Sequence, residues 1–101
     1  MRFNYRGPNN EIFTEVKVNS INRRVTVINH TDDFIDRAFG VKEDVTYEDV
    51  KKFLESRTIP RNRGDINEIL KELGLKEYDP YKLCKYFGGK MAHDHNWVEF
   101  L

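Results

Sequence analysis

The chain has 101 residues, 39% of them apolar and 13% aromatic, enough for one domain around one modest core. Seventeen basic and seventeen acidic residues cancel, which argues against a protein whose main task is to coat nucleic acid, because that task shows as a basic domain. The single cysteine, Cys84, excludes an intrachain disulfide and suits a reducing, cytoplasmic setting; no apolar run has the length of a signal-peptide core or a membrane span.

Phe3 and Tyr5 alternate with polar residues before the turn cluster Gly7-Pro8-Asn9-Asn10, which predicts a short edge strand. Ile12, Thr14, Val16 and Val18 then fall on one face at period two, the pattern of a half-buried strand. Asn19 to Asn22 read as a turn, and Arg24 to Ile28 as the returning strand, rich in β-branched residues. A lone hairpin is marginal in water, so this one must pack on the helices C-terminal to it.

Over residues 31–40, Thr31 can cap, Asp32 and Asp33 suit the positive end of a helix dipole, and Phe34, Ile35, Ala38 and Phe39 share a face; this predicts a short helix or helical turn packing two phenylalanines under the hairpin. Thr46 with Asp49 three residues on is an acidic capping box; it opens a helix whose buried stripe is Val50, Phe53 and Leu54 and which must end near Ser56 or Arg57 because of Pro60. Ile66, Ile69, Leu70 and Leu73 give the cleanest helical period in the chain, with Asn62 as the expected N-cap and Gly74 as the residue after the C-cap. Asp79-Pro80 opens another helix through Leu83, Cys84 and Phe87, stopped by Gly88-Gly89. Asn96 to Leu101 reads as a last strand able to join the hairpin. The reading is therefore an α+β fold over residues 1–101: an antiparallel β-hairpin, with the C-terminal strand as a candidate third member, against three main helices.

Charge is polarised along the chain. Residues 51–63 hold Lys51, Lys52, Arg57, Arg61 and Arg63 against Glu55 alone. They read either as an anion-binding, helix-turn-helix-like face or as a helix junction whose arginines pair with local carboxylates. Residues 31–49 hold seven acids, Asp32, Asp33 and Asp36 among them, against Arg37 and Lys42. They read either as a patch that imitates nucleic acid or docks on a basic protein, or as acidic first turns of helices. His93 and His95 would share one face of a strand, yet no second ligand pair completes a zinc set, so no metal or other cofactor is expected. Cys84 lies in an apolar stripe with no identifiable base, and Phe87-Gly88-Gly89-Lys90 lacks phosphate-loop spacing; a non-enzymatic protein is expected.

The run Phe53-Leu54-Glu55-Ser56-Arg57-Thr58-Ile59-Pro60-Arg61-Asn62-Arg63, then a helix to Leu73, Asp79-Pro80, Gly88 or Gly89, and Asp94 with Trp97, resembles a module of small Firmicutes and mobile-element proteins. The same module resembles the segment that precedes or accompanies HipA-like kinases of toxin–antitoxin type. The resemblance covers residues 53–98 and carries no kinase domain, so it implies a compact binding module and no kinase activity. By analogy of class, such a module resembles phage or mobile-element proteins that regulate or inhibit a larger host protein, a defence nuclease in the manner of anti-CRISPR proteins or a HipA-like kinase. Pro60, Asp94 and Trp97 are expected to be structural: Asp94 should pair bidentately with Arg57 or Arg63, with Trp97 packed over the pair, leaving Arg61 to face outward.

Overall fold

The computed structural model describes all 101 residues, Met1–Leu101. Four strands, β1 (Arg2–Arg6), β2 (Ile12–Val18), β3 (Val25–Asn29) and β4 (Trp97–Phe100), form one antiparallel sheet in the order β3-β2-β1-β4. The helices are α1 (Tyr47–Ser56), α2 (Ile66–Glu72) and α3 (Pro80–Phe87). The α+β class, the β2–β3 hairpin and all three main helices match the sequence reading.

Two strands differ in their places. β1 is not an edge: it lies between β2 and β4, and β4 joins the sheet through β1 and not directly on the β2–β3 hairpin. The reason is burial. Phe3, Tyr5 and even Asn4 are buried, and a strand flanked on both sides shields its backbone as an edge strand does not. Between Tyr5 and Arg6 the register slips by one residue, a bulge that turns Phe13 inward against Tyr5, ring centroids 6.0 Å apart.

The inner face of the sheet carries Phe3, Tyr5, Val16, Val18 and Val98, and it packs on Val50, Leu54 and Cys84 from α1 and α3. Phe53 joins the layers. Its ring lies 6.0 Å from Phe3, 5.1 Å from Tyr5 and 5.5 Å from Phe39. Leu54 and Leu83 are wholly buried, each worth about 1.5–3 kcal/mol of transfer free energy.

Caps set the helix ends. Thr46 and Asp49 form the reciprocal capping box, and the Asp79 carboxylate accepts from the N–H groups of Tyr81 and Lys82. The N-cap of α2 is Asp65, not Asn62. Residues 60–65 instead make isolated turns, Arg63 N–H to Pro60 O at 3.2 Å and Ile66 N–H to Arg63 O at 3.1 Å. Gly64, a poor helix residue, lies where the first turn would have been. At the far end, Leu75 N–H reaches Leu70 O and Gly74 N–H reaches Lys71 O, the paired bonds of a Schellman ending.

Residues 31–40 are the largest departure. No helix forms. The backbone makes successive i to i−3 turns, Asp36 to Asp33, Gly40 to Arg37 and Lys42 to Phe39. Asp33 Oδ1 takes the Ile35 N–H, and Arg37 Nε donates to Thr31 O at 2.7 Å. Short polar side chains that bond their own backbone compete with the helix ladder. Ala38 and Phe39 pack against the core, whereas Phe34 points out.

Candidate docking surfaces

The helix junction is built around Arg57. Its side chain is 6% exposed, and its donors are used on three partners. Nε donates to Gly89 O (2.9 Å), Nη1 and Nη2 to the two Asp94 oxygens (2.7 and 3.0 Å), and Nη2 also to Asn96 O (2.8 Å). The expected bidentate pair is therefore Arg57–Asp94, and it ties the end of α1 to the segment entering β4. Arg63 pairs instead with Asp65 at 2.7 Å. The guanidinium of Arg57 holds the Asp94 carboxyl below the usual carboxylate range, with a further backbone bond from Asn96. The ring beside Arg57 is that of Tyr5, 5.4 Å away, not Trp97. Strand alternation sends Trp97 to the opposite face from Val98, where it lies 5.8 Å from the Arg6 guanidinium. Pro60 does stand where α1 has ended, and Ile59 O accepts the Tyr78 hydroxyl at 2.6 Å.

Gly89 makes the junction possible. Its φ is +64°, and a Cβ there would lie 2.5 Å from Val98 Cγ2. The adjacent Gly88 O accepts Val98 N–H at 2.8 Å, so α3 and β4 meet backbone to backbone.

The five cations of residues 51–63 do not form a free basic face. Lys51 lies 3.7 Å from Glu48, Arg61 3.6 Å from Glu55, Arg63 2.7 Å from Asp65, and Arg57 is buried on Asp94. Lys52 alone has no carboxylate within 4 Å. Arg57, expected on the partner-binding face, is interior, because a desolvated guanidinium needs a carboxylate and carbonyls around it. Arg61 does face outward and rests over the Tyr78 ring at 4.4 Å.

The acidic segment has the opposite character. Asp32 is 3.9 Å from Arg37, and Asp49 is 2.8 Å from Lys42; Lys42 and the Thr46 cap hold Asp49 down at about 2. Asp33, Asp36, Glu43 and Asp44 have no cation within 4 Å. Between them stand Phe34 (53% exposed), Ile35 (91%) and Val41 (69%). The segment is pinned from beneath. The buried Thr14 hydroxyl accepts Ala38 N–H at 3.1 Å while donating to Asn29 Oδ1 at 3.0 Å, and Phe39 packs on Phe53. Sequence periodicity groups Phe34, Ile35, Ala38 and Phe39 as one buried face; it carries no sign that two of the four are displayed.

The groups weighed for chemistry lie apart. Cys84 is buried, and burial pushes its thiol up to about 12 despite the Arg57 charge, so it stays protonated at neutral pH. His30 bonds Glu15 at 2.6 Å, and His93 lies 3.5 Å from Asp94. No three His, Cys, Asp or Glu side chains converge on a metal position.

A surface that sequence reasoning missed is a groove of about 760 Å³ between the junction, α2 and the end of α3. Ile59, Pro60, Ile69, Leu73, Phe87 and Met91 give it its apolar walls. No helix is long and apolar enough to cross a membrane. Comparison with family models, curated proteins and solved structures finds no match to this chain.

Proposed function

We propose that the chain is a non-enzymatic protein-interaction module that docks through its acidic segment, residues 31–44, on a basic surface of a larger host protein. One observation carries the reading: Phe34, Ile35 and Val41 are displayed among the unpaired carboxylates of Asp33, Asp36, Glu43 and Asp44. Exposed apolar side chains that share a pinned segment with uncompensated charge supply both halves of a docking surface, contact area and steering. A basic surface facing such a segment is the kind that binds a nucleic-acid backbone. The reading is therefore an inhibitor or regulator of a nucleic-acid-handling protein, of the phage or mobile-element class, with a defence nuclease as the target type. A HipA-like kinase is the alternative target carried by the resemblance of residues 53–98. Direct nucleic-acid binding through Lys51, Lys52, Arg61 and Arg63 is disfavoured, because three of these four cations already face a carboxylate.

The test is a pull-down from a host lysate with the wild-type chain and with Asp33→Lys/Ile35→Ser/Asp36→Lys. The expected result is a nucleic-acid-binding protein held by the wild type, released by added duplex DNA, and absent with the variant. Equal recovery by both chains, or retention of the partner at saturating DNA, overturns the reading. A chain that itself binds DNA, with affinity falling steeply as salt rises, restores the nucleic-acid reading.

A further inference from the structure

β3 is an edge strand whose outer side is open along its whole length. The bonds from His30 N–H to Phe13 O and from Asn19 N–H to Arg24 O, both 2.9 Å, fix the phase of the β2–β3 ladder. Successive residues of a strand turn their backbone groups to opposite sides. Arg24, Thr26, Ile28 and His30 therefore bond β2, while Val25, Val27 and Asn29 present three N–H and three C=O groups outward. No donor or acceptor of the chain meets these outward groups. The opposite edge differs: on β4 the outward Val98 N–H is taken by Gly88 O at 2.8 Å.

An unpaired row of backbone groups is a template for another strand, and exposed edges are ordinarily blunted by a proline, a bulge or a charged side chain. β3 has none of these. It reads Val25-Thr26-Val27-Ile28-Asn29, and its register on β2 is regular throughout. Ile28, on the sheet face away from the helices, is 51% exposed.

The edge is complementary to itself. Arg23 and Arg24 precede it, and Asp32 and Asp33 follow it. Neither arginine nor Asp33 has an ion-pair partner in its own copy, and Asp32 lies 3.9 Å from Arg37. A second copy laid antiparallel brings each basic end to the other's acidic end, whereas a parallel copy sets like charge on like. Centred on Val27, antiparallel pairing sets Val27 against Val27 and Val25 against Asn29, so the outward groups of both copies meet in reciprocal hydrogen bonds. Thr26 then faces Ile28 of the second copy, a pair of β-branched side chains that covers the exposed Ile28. A cleft of about 460 Å³, lined by Val27, Asn29, Phe34 and Val41 among others and by no residue of β2, leaves room beside the edge for the side chain of the second copy's Val27.

We infer that the chain forms a two-fold symmetric dimer by antiparallel pairing of β3 with β3 of a second copy. The contact is isologous, and it joins two four-stranded sheets into one continuous sheet. The paired residues belong to neither the acidic segment nor the helix junction.

The test is sedimentation equilibrium of the full chain over a range of concentrations, with amide hydrogen exchange followed residue by residue by NMR. The expected result is a mass that rises from 12.1 kDa toward twice that value, with a Kd on the order of 10–100 μM for so short a pairing. Exchange at Val25, Val27 and Asn29 should slow as the concentration rises, while Thr26 and Ile28, already bonded to β2, should be protected at every concentration. Val27→Pro removes the N–H at the two-fold axis from both copies and no bond of the β2–β3 ladder. It should weaken dimerisation about tenfold or more and leave the monomer folded by circular dichroism. Arg23→Glu/Arg24→Glu should weaken it about threefold to tenfold, and adding Asp32→Lys/Asp33→Lys should restore it. A chain still monomeric at about 1 mM overturns the inference. So does a dimer that Val27→Pro leaves intact, or one in which Val25, Val27 and Asn29 still exchange fast, because such a dimer joins elsewhere. A monomer whose β3 amides slow only when the pull-down partner is added makes the edge a strand-addition site for that partner and also overturns it.

Discussion

The Arg57–Asp94 pair can be tested by Asp94→Asn, which keeps the side-chain shape and removes the charge. In the wild type, three guanidinium nitrogens bond the carboxylate, Gly89 O and Asn96 O. Asparagine offers one acceptor and turns an amide donor toward guanidinium donors. Leaving a buried charge uncompensated costs about 3–5 kcal/mol. Two facts reduce that figure here: the Asp94 side chain is 26% exposed, so water screens the site, and both carbonyl acceptors remain. The expected loss is about 2–3 kcal/mol. For a chain of this size it lowers Tm by roughly 10–20 °C. The pH dependence has a definite sign. Arg57 depresses the Asp94 pKa in the fold, so the stabilisation is fully present above the unfolded carboxylate value near about 4 and is lost as pH falls through the lower folded value. Thermal melts followed by circular dichroism should therefore show a wide gap between wild type and variant at pH 7 that narrows below about pH 4. A gap under about 3 °C at pH 7, or one that stays constant into strong acid, would refute the reasoning.

Gly89→Ala forces a Cβ to within 2.5 Å of Val98 Cγ2 at a φ of +64°; conformational strain and overpacking together should cost about 3 kcal/mol, read as a lower urea midpoint at unchanged slope. A variant as stable as wild type would mean that α3 and β4 can move apart without penalty. Thr46→Ala removes half of the α1 capping box and should cost about 1 kcal/mol, or roughly 4–8 °C in Tm.

Legibility in the sequence divides along physical lines. The three helices are legible because their signals are local: Thr46 with Asp49, Asp79 with Pro80, and the period of Ile66, Ile69, Leu70 and Leu73. Sequence narrows the partner of Asp94 to two arginines and no further, because two other residues decide it. Asp65 lies within reach of Arg63, and Gly89 brings its carbonyl to Arg57. The place of β1 escapes a sequence reading because alternating Phe3 and Tyr5 look the same on an edge strand as on an inner one; the number of neighbours is a long-range property. Residues 31–40 mislead because a helix-spaced apolar pattern also fits a run of turns, and there the Asp33 and Arg37 side chains decide the backbone. The groove has no sequence signature at all. Its walls come from three segments that only the folded chain brings together.

The distribution of ion pairs bears on function more directly than net charge does. The chain is neutral, yet its cations and anions are not spent alike. In residues 51–63, Lys51, Arg57, Arg61 and Arg63 each face a carboxylate, and Arg57 is removed from the surface altogether. In residues 31–44, four carboxylates remain without a cation while apolar side chains stand among them. A fold that needed those acids only to open helices would place them in first turns, as it does with Asp49. Asp33, Asp36, Glu43 and Asp44 lie in no helix. Thr14, wholly buried in β2, spends its hydroxyl on the Ala38 amide and so holds the segment to the sheet. On the docking proposed above, losing that anchor through Thr14→Val should loosen the display of Phe34 and Ile35 and weaken retention of the pull-down partner. A chain that keeps its partner after that change would place the docking determinants elsewhere.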